Sequence, residues 1–179
     1  MAIIVVGGSG KGVGKTSLVC GLIAALPEFQ WTAVKVTSHS YGATAPIWEE
    51  TEAGLGTDTA RYLEAGADRA LLVGSGSGLV PLDELWAAVG RGADLIFESN
   101  TIAGQVEADL CLGVVGSEAD VKPSFEPFMM RMDAAVVVAG ARTVLGAGEL
   151  TVPVFRLEHM ERVSPEMVRW VRGRLRPAD

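Results

Sequence analysis

The chain is poor in the residues that build disulfide frameworks and metal clusters: its 179 residues include two cysteines and two histidines. Cys20 falls in an apolar helical stretch and Cys111 in an apolar strand-like run. Both read as buried thiols of a reducing compartment, so neither a disulfide nor a thiolate metal site is expected. Long hydrophobic runs are missing too, since none approaches the ~18 residues needed to span a bilayer. No basic segment with a cleavage site precedes the first apolar run, so the expectation is a cytoplasmic protein without leader or anchor. Positive charge is in short supply: 15 Lys and Arg against 22 Asp and Glu leave a formal net charge of −7. Polyphosphate backbones would be repelled at long range, which argues against general nucleic-acid binding. Internal repeats, low-complexity blocks and composition breaks are absent as well. The expectation is a single domain over residues 1–179, long enough to bury a full core.

What the chain does have is a hydrophobic fraction of 49% and a charged fraction of 21%, the balance of a soluble globular protein. It also has glycine in one telling place. The apolar run Ala2-Ile3-Ile4-Val5-Val6 leads into Gly7-Gly8-Ser9-Gly10-Lys11-Gly12-Val13-Gly14-Lys15-Thr16-Ser17, and then into the apolar stretch Leu18 to Leu26. Strand, glycine-rich turn, Gly-Lys-Thr and helix in this order form the context of a phosphate-binding loop. Glycines let successive N–H groups curl around one anion, and the helix N-terminus adds partial positive charge. The loop residues Gly10, Lys11, Gly12, Val13, Gly14, Lys15, Thr16 and Ser17 are therefore candidates for ATP or GTP binding. Lys15 would reach the outer phosphates, and the Thr16 hydroxyl would ligate Mg²⁺. Ser9 stands where the motif has its first glycine. It is expected at negative φ, with its glycine neighbours in the left-handed positions.

Strand-like runs alternate with helical patterns along the rest of the chain, which predicts an α/β fold: a doubly wound, mostly parallel sheet with helices on both faces. Trp31 to Thr37 reads as a second strand, and Ser38 to about Gly56 as one long polar loop, of a length that is usually functional or mobile. Thr57 or Asp58 caps a short helix, Thr59 to Ala65, which Gly66 stops. Arg69 to Val73 is a strand, and Pro81 to Val89 an amphipathic helix. Asp94 to Phe97 is a strand ending at Glu98, and Leu110 to Val115 another. A Met-rich helical stretch near Pro123 to Met132 follows, in which Met129, Met130 and Met132 read as packing residues. Ala134 to Ala139 is apolar throughout, as in a strand covered on both faces. Pro153 assigns the strand Thr151 to Leu157 to an edge, and Ser164-Pro165-Glu166 opens the last helix. Arg169, Arg172, Arg174 and Arg176 crowd that helix and read as a wet face or a surface for an anionic partner.

Ligands of open α/β sheets bind outside the carboxyl ends of the strands. That rule singles out Lys35 and His39, in Lys35-Val36-Thr37-Ser38-His39 at the end of the second strand, as candidate nucleotide contacts. A surface histidine and a solvated lysine are the alternatives. A lysine inside a strand either faces water or turns inward to an acid or a phosphate. Glu98 ends its strand as magnesium-binding acids of such loops do, and Asp58 closes the long loop. Both are candidates, with Thr16, for holding Mg²⁺, and with Lys15 for positioning the reacting group. Lys11 either touches phosphate, reaches across a homodimer interface or is a water-exposed loop lysine. Trp48-Glu49-Glu50-Thr51-Glu52 is a segment that either closes over a substrate or is solvated loop charge.

Taken together, the phosphate loop ending Gly14-Lys15-Thr16, the Lys35-to-His39 strand end, the segment Thr57-Asp58-Thr59-Ala60-Arg61-Tyr62-Leu63-Glu64-Ala65-Gly66-Ala67 and the strand ending in Glu98 resemble the MobB family. MobB proteins are small P-loop adaptors of molybdopterin-guanine dinucleotide biosynthesis, within the class that includes nitrogenase-iron-protein-like ATPases and dethiobiotin synthetase. The resemblance covers roughly the first hundred residues. It implies nucleotide and magnesium binding at Lys15 and Thr16, and places near the site for His39, Asp58 and Glu98. The chain departs from that family at Ser9, at Ser99-Asn100 after the acid, and in the region beyond Asp109, including Lys122-Pro123-Ser124. No guanine-reading Asn/Thr-Lys-x-Asp follows the apolar strand, where Ala139-Gly140-Ala141-Arg142 stands. The expected function is Mg²⁺-dependent purine nucleoside triphosphate binding with slow hydrolysis. Its rivals are a small-molecule kinase or ATP-dependent ligase, whose second substrate uses the 38–56 loop, and a nucleotide-switched module for a protein partner.

Overall fold

A computed structural model describes residues 1–37, 47–75, 79–90, 92–116, 121–138, 151–157 and 161–175. The elements run β1 Ile3–Gly8, α1 Lys15–Ala25, β2 Trp31–Thr37, β3 Ile47–Glu50, α2 Asp58–Glu64, β4 Arg69–Gly74, α3 Leu82–Val89 and β5 Asp94–Glu98. After a 3₁₀ turn at Ile102–Gly104 come β6 Leu110–Val115, α4 Phe125–Met129, β7 Ala134–Val138, β8 Val154–Leu157 and α5 Pro165–Arg172. The eight strands form one sheet in the order β3-β4-β2-β5-β1-β6-β7-β8. Every neighbouring pair is parallel except β3 with β4.

Side chains alternate across a strand with period two, so each central strand feeds two cores. Ile4 and Val6 of β1 join a cluster with Leu18 and Leu22 of α1, Tyr62 of α2 and Met167 and Val171 of α5. Ile3 and Val5 join the opposite cluster, with Leu85 of α3, Ile102 of the 3₁₀ turn and Phe125 and Phe128 of α4. The sheet is therefore wound on both faces, as the alternating sequence predicts. The caps follow their chemistry: the Thr57 hydroxyl accepts the Ala60 N–H (3.1 Å), making Thr57 rather than Asp58 the cap of α2. Ser164 caps α5 by accepting the Met167 N–H (3.2 Å), with Pro165 in the first turn. Pro153 lies just outside β8, which is an edge strand as expected.

Three readings change. The stretch Ser38 to Gly56 is not one loop, because Ile47–Glu50 is an antiparallel edge strand on β4. Within Trp48 to Glu52, neither alternative holds for Glu50: it is buried, accepting the Thr57 and Thr59 hydroxyls (3.1 and 3.2 Å) and the backbone N–H of Thr51 and Glu52. Of the methionines, Met132 is buried and Met129 packs beside it, but Met130 is 88% exposed and packs in no core. The wet face expected of the last arginines is there: Arg169, Arg172 and Arg174 are exposed, Arg172 pairing with Glu28 (2.5 Å) and Arg174 stacking over the Trp170 ring at 3.9 Å, while Arg176 lies outside the described residues. Cys20 and Cys111 are both free and buried. No helix among the described residues is long and apolar enough to cross a membrane.

Candidate functional site

The site begins where β1 hands over to α1. Parallel pairing sets the ends of β5 and β6 on either side of that point: Val6 aligns with Glu98, and Gly8 with Val114. The left-handed residues of the loop are Gly12 (φ 74°) and Gly14 (φ 102°), and the flanking Gly8 and Gly10 are not among them. The expectation for the neighbours of Ser9 is thus corrected. Gly14 turns the chain into α1, a conformation that costs an L side chain about 1–2 kcal/mol. Ser9 anchors the loop with three bonds, of which the one through its hydroxyl is closed to glycine. Its hydroxyl accepts the Gly116 N–H (3.0 Å), its N–H donates to Val114 O (2.9 Å), and its carbonyl accepts the Lys122 N–H (2.8 Å). The loop is stitched to the end of β6 and to the segment after it by these three bonds.

A second pin comes from β5. Asn100 Oδ1 accepts the Gly8 N–H (2.7 Å), while its Nδ2 donates to Gly8 O and to Ser124 Oγ (both 3.1 Å). Asn100 stands where the MobB resemblance leads one to expect glycine, and its amide spends that difference on holding the loop. Inside the loop, Lys15 Nζ donates to Gly10 O (2.8 Å). Burial holds the Lys15 ammonium below the ordinary lysine range; Glu98 opposes that shift, and the charges of Lys122 and Lys35 add to it. Lys11 is exposed, and Val13 buried.

Behind the loop lies a charged cluster, positioned by strand periodicity. Ala33 and Ile96 face the α1/α2 core, so Lys35 and Glu98, two residues further on, face the same way and pair directly across β2 and β5. Glu98 is 6% exposed and receives three donors: Thr16 Oγ1 (2.8 Å) and the Tyr62 hydroxyl (2.5 Å) on Oε2, and Lys35 Nζ (2.8 Å) on Oε1. Lys35 also forms an ion pair with Asp58 Oδ2, and Arg61 Nη1 lies 3.6 Å from Asp58 Oδ1. Of the alternatives for Lys35, the inward one holds. Burial alone would depress Lys35, but Glu98 and Asp58 raise it above the ordinary lysine value. Burial likewise works against ionised Asp58, yet the Lys35 ammonium, the Thr16 hydroxyl and the Arg61 charge bring its pKa below the usual carboxylate value. The Tyr62 phenol is pushed well above 10 by burial and by the Glu98 charge, so it is a hydrogen-bond donor throughout the neutral range.

The structure brings together Lys15, Thr16, Lys35, Asp58 and Glu98; His39 lies outside the described residues. Ser17 is buried, with Arg61 Nη2 3.4 Å from its hydroxyl, and the same guanidinium nitrogen binds Glu161 at 2.6 Å. Sequence reasoning missed Tyr62, Asn100 and Lys122. Tyr62 stands four residues after Asp58, on one helix face, a spacing that could have found it. Asn100 and Lys122 carry no such signal, because their roles depend on hydrogen bonds to residues about a hundred positions away. Among the described residues, no group of three or more His, Cys, Asp or Glu side chains is placed to hold a metal. The hard oxygens that converge are two carboxylates and one hydroxyl, which fits Mg²⁺: it commonly takes one or two carboxylates plus waters and phosphate oxygens.

No protein-family model matches the chain, and no curated protein matches it. Among solved structures, the fold is similar to the "apo" form of LpxK from Aquifex aeolicus, in complex with ATP, with a TM-score of 0.56 at 18% sequence identity. The match covers 87% of this chain and 53% of that one, so the chain spans about half the length of LpxK. The likeness is one of fold, α/β with a mostly parallel sheet.

Proposed function

We propose that the chain binds a purine nucleoside triphosphate with Mg²⁺ at the β1–α1 loop and hydrolyses it slowly. The observation that carries this reading is the Thr16–Glu98–Lys35–Asp58 cluster directly behind a glycine loop of phosphate-binding pattern. The ATP in the LpxK structure supports the same reading.

In this reading the amides of Gly10 to Lys15 and the α1 N-terminus receive the phosphates. Lys15 exchanges its bond to Gly10 O for a phosphate oxygen. Thr16, Asp58 and Glu98 would hold Mg²⁺, which when bound supplies charge neutralisation at the phosphates. Phosphoryl transfer asks a protein chiefly for positioning and electrostatic stabilisation, and a pinned loop with half-buried cations would provide both. Ser9 and Asn100 hold the loop in place, while Tyr62 and Lys35 fix the Glu98 carboxylate. The adaptor role in molybdopterin-nucleotide synthesis belongs to this reading through the Lys35-to-His39 and Thr57-to-Ala67 segments.

A thermal-shift panel of ATP, GTP, their diphosphates and non-hydrolysable analogues, each with Mg²⁺, tests it. A ligand of the native state at a hundredfold excess over its Kd stabilises by about 2.7 kcal/mol, and at least one triphosphate should do so. Phosphate release with that nucleotide then measures turnover. No shift with any triphosphate in folded protein defeats the proposal.

A further inference from the structure

Lys35 was expected at a nucleotide, yet its ammonium already bridges two carboxylates. Its ammonium lies 2.8 Å from Glu98 Oε1 and closer still to Asp58 Oδ2, and its side chain is 23% exposed. The two carboxylates it bridges are the pair that, with Thr16, offers hard oxygens to a cation. Glu98 is committed on its other oxygen to Thr16 and Tyr62, so it has no freedom to swing away from the lysine. A divalent ion entering between Asp58 and Glu98 would meet an ammonium within a few ångström of its own position. At that separation like charges repel strongly even at an effective dielectric of about 20.

We propose that Lys35 is the resident cation of this carboxylate pair and bars a free divalent ion from it, so that metal enters together with a polyphosphate. The idea rests on the assignment of Thr16, Asp58 and Glu98 as the metal-facing side of the site, and adds an order of binding to it. A polyphosphate brings enough negative charge to offset both the lysine and the metal, and a free metal ion brings none. Lys35 thereby couples metal affinity to occupancy of the phosphate loop.

The test uses Mn²⁺ alone, added to nucleotide-free protein and followed by the loss of the free-ion electron paramagnetic resonance signal. Wild-type protein should bind Mn²⁺ no tighter than the millimolar range. Lys35→Met should gain tenfold or more in Mn²⁺ affinity, and Lys35→Arg, which keeps the charge, should gain nothing. Adding Asp58→Asn to Lys35→Met should abolish the gain, which places the ion at this pair. Circular dichroism and a melting curve establish folding, and Lys35→Gln serves the same purpose if the methionine variant does not fold. Three results would overturn the proposal: wild-type protein binding free Mn²⁺ at micromolar concentration, folded Lys35 variants without a gain, or a gain that survives Asp58→Asn. The measurement contains no nucleotide, so a failed thermal-shift panel and a failed manganese titration are separate outcomes.

Discussion

Glu98 serves three donors at once, and each loses something different when the others change. The Tyr62 hydroxyl on a buried carboxylate is a charge-assisted bond, of a kind whose removal costs about 1.5–3 kcal/mol. Tyr62→Phe should lower stability by that order in urea titration while leaving the secondary structure intact. Lys15→Ala should act oppositely, with little loss of stability and a fall in nucleotide affinity of tenfold or more by calorimetry, since its charge faces the loop rather than a core. The Lys35–Asp58 pair sets a pH dependence. The Asp58 pKa is lower in the fold than its ordinary value, so its contribution is present above about pH 4 and is lost as pH falls through the depressed value. That of Lys35 is raised, so its contribution persists through the neutral range and is lost only as pH climbs through the raised value. Between pH 5 and 2 the urea midpoint of Asp58→Asn should fall less steeply than that of wild type.

At the scale of elements, what could be read in advance was what depends on local pattern. Apolar strand-like runs announced β1, β4, β5, β6 and β7, the alternation of Trp31 to Thr37 announced β2, and the cap and proline at Ser164-Pro165 announced α5. β3 escaped because Ile47-Trp48-Glu49-Glu50 is four residues long and half acidic. Its strand character comes from pairing with β4, and its charges are absorbed by Arg69 on Glu49 and by threonine hydroxyls on Glu50. Within the site, Lys15, Thr16 and Glu98 were legible from motif and strand end. Asn100 was not, since an amide holding Gly8 from another strand leaves no local trace. Asn100→Ala strands the Gly8 N–H and should cost about 1–3 kcal/mol. Hydrogen exchange should then show faster amides in residues 8–14, with α5 unchanged.

For the whole molecule, the two cores isolate both thiols from water. Burial pushes Cys20 up to about 12 and Cys111 up to about 11, leaving almost no thiolate at neutral pH. A thiol reagent at pH 7.5 should label neither cysteine in native protein and both in urea, with native labelling tracking rare opening of the sheet.

The central position of β1 also bears on how the chain comes off the ribosome. β1 has both of its partners, β5 and β6, far downstream in the sequence, and its loop is tied to Asn100, Gly116 and Lys122. Contacts so distant in sequence form only after long loops close. At roughly 5–20 residues per second, several seconds separate the synthesis of β1 from that of Lys122. Until then the glycine loop has no walls. The glycine loop thus precedes its walls in the chain, and on the proposed reading a ribosome-bound fragment ending at residue 105 should not retain ATP, whereas one that has fully extruded β8 should.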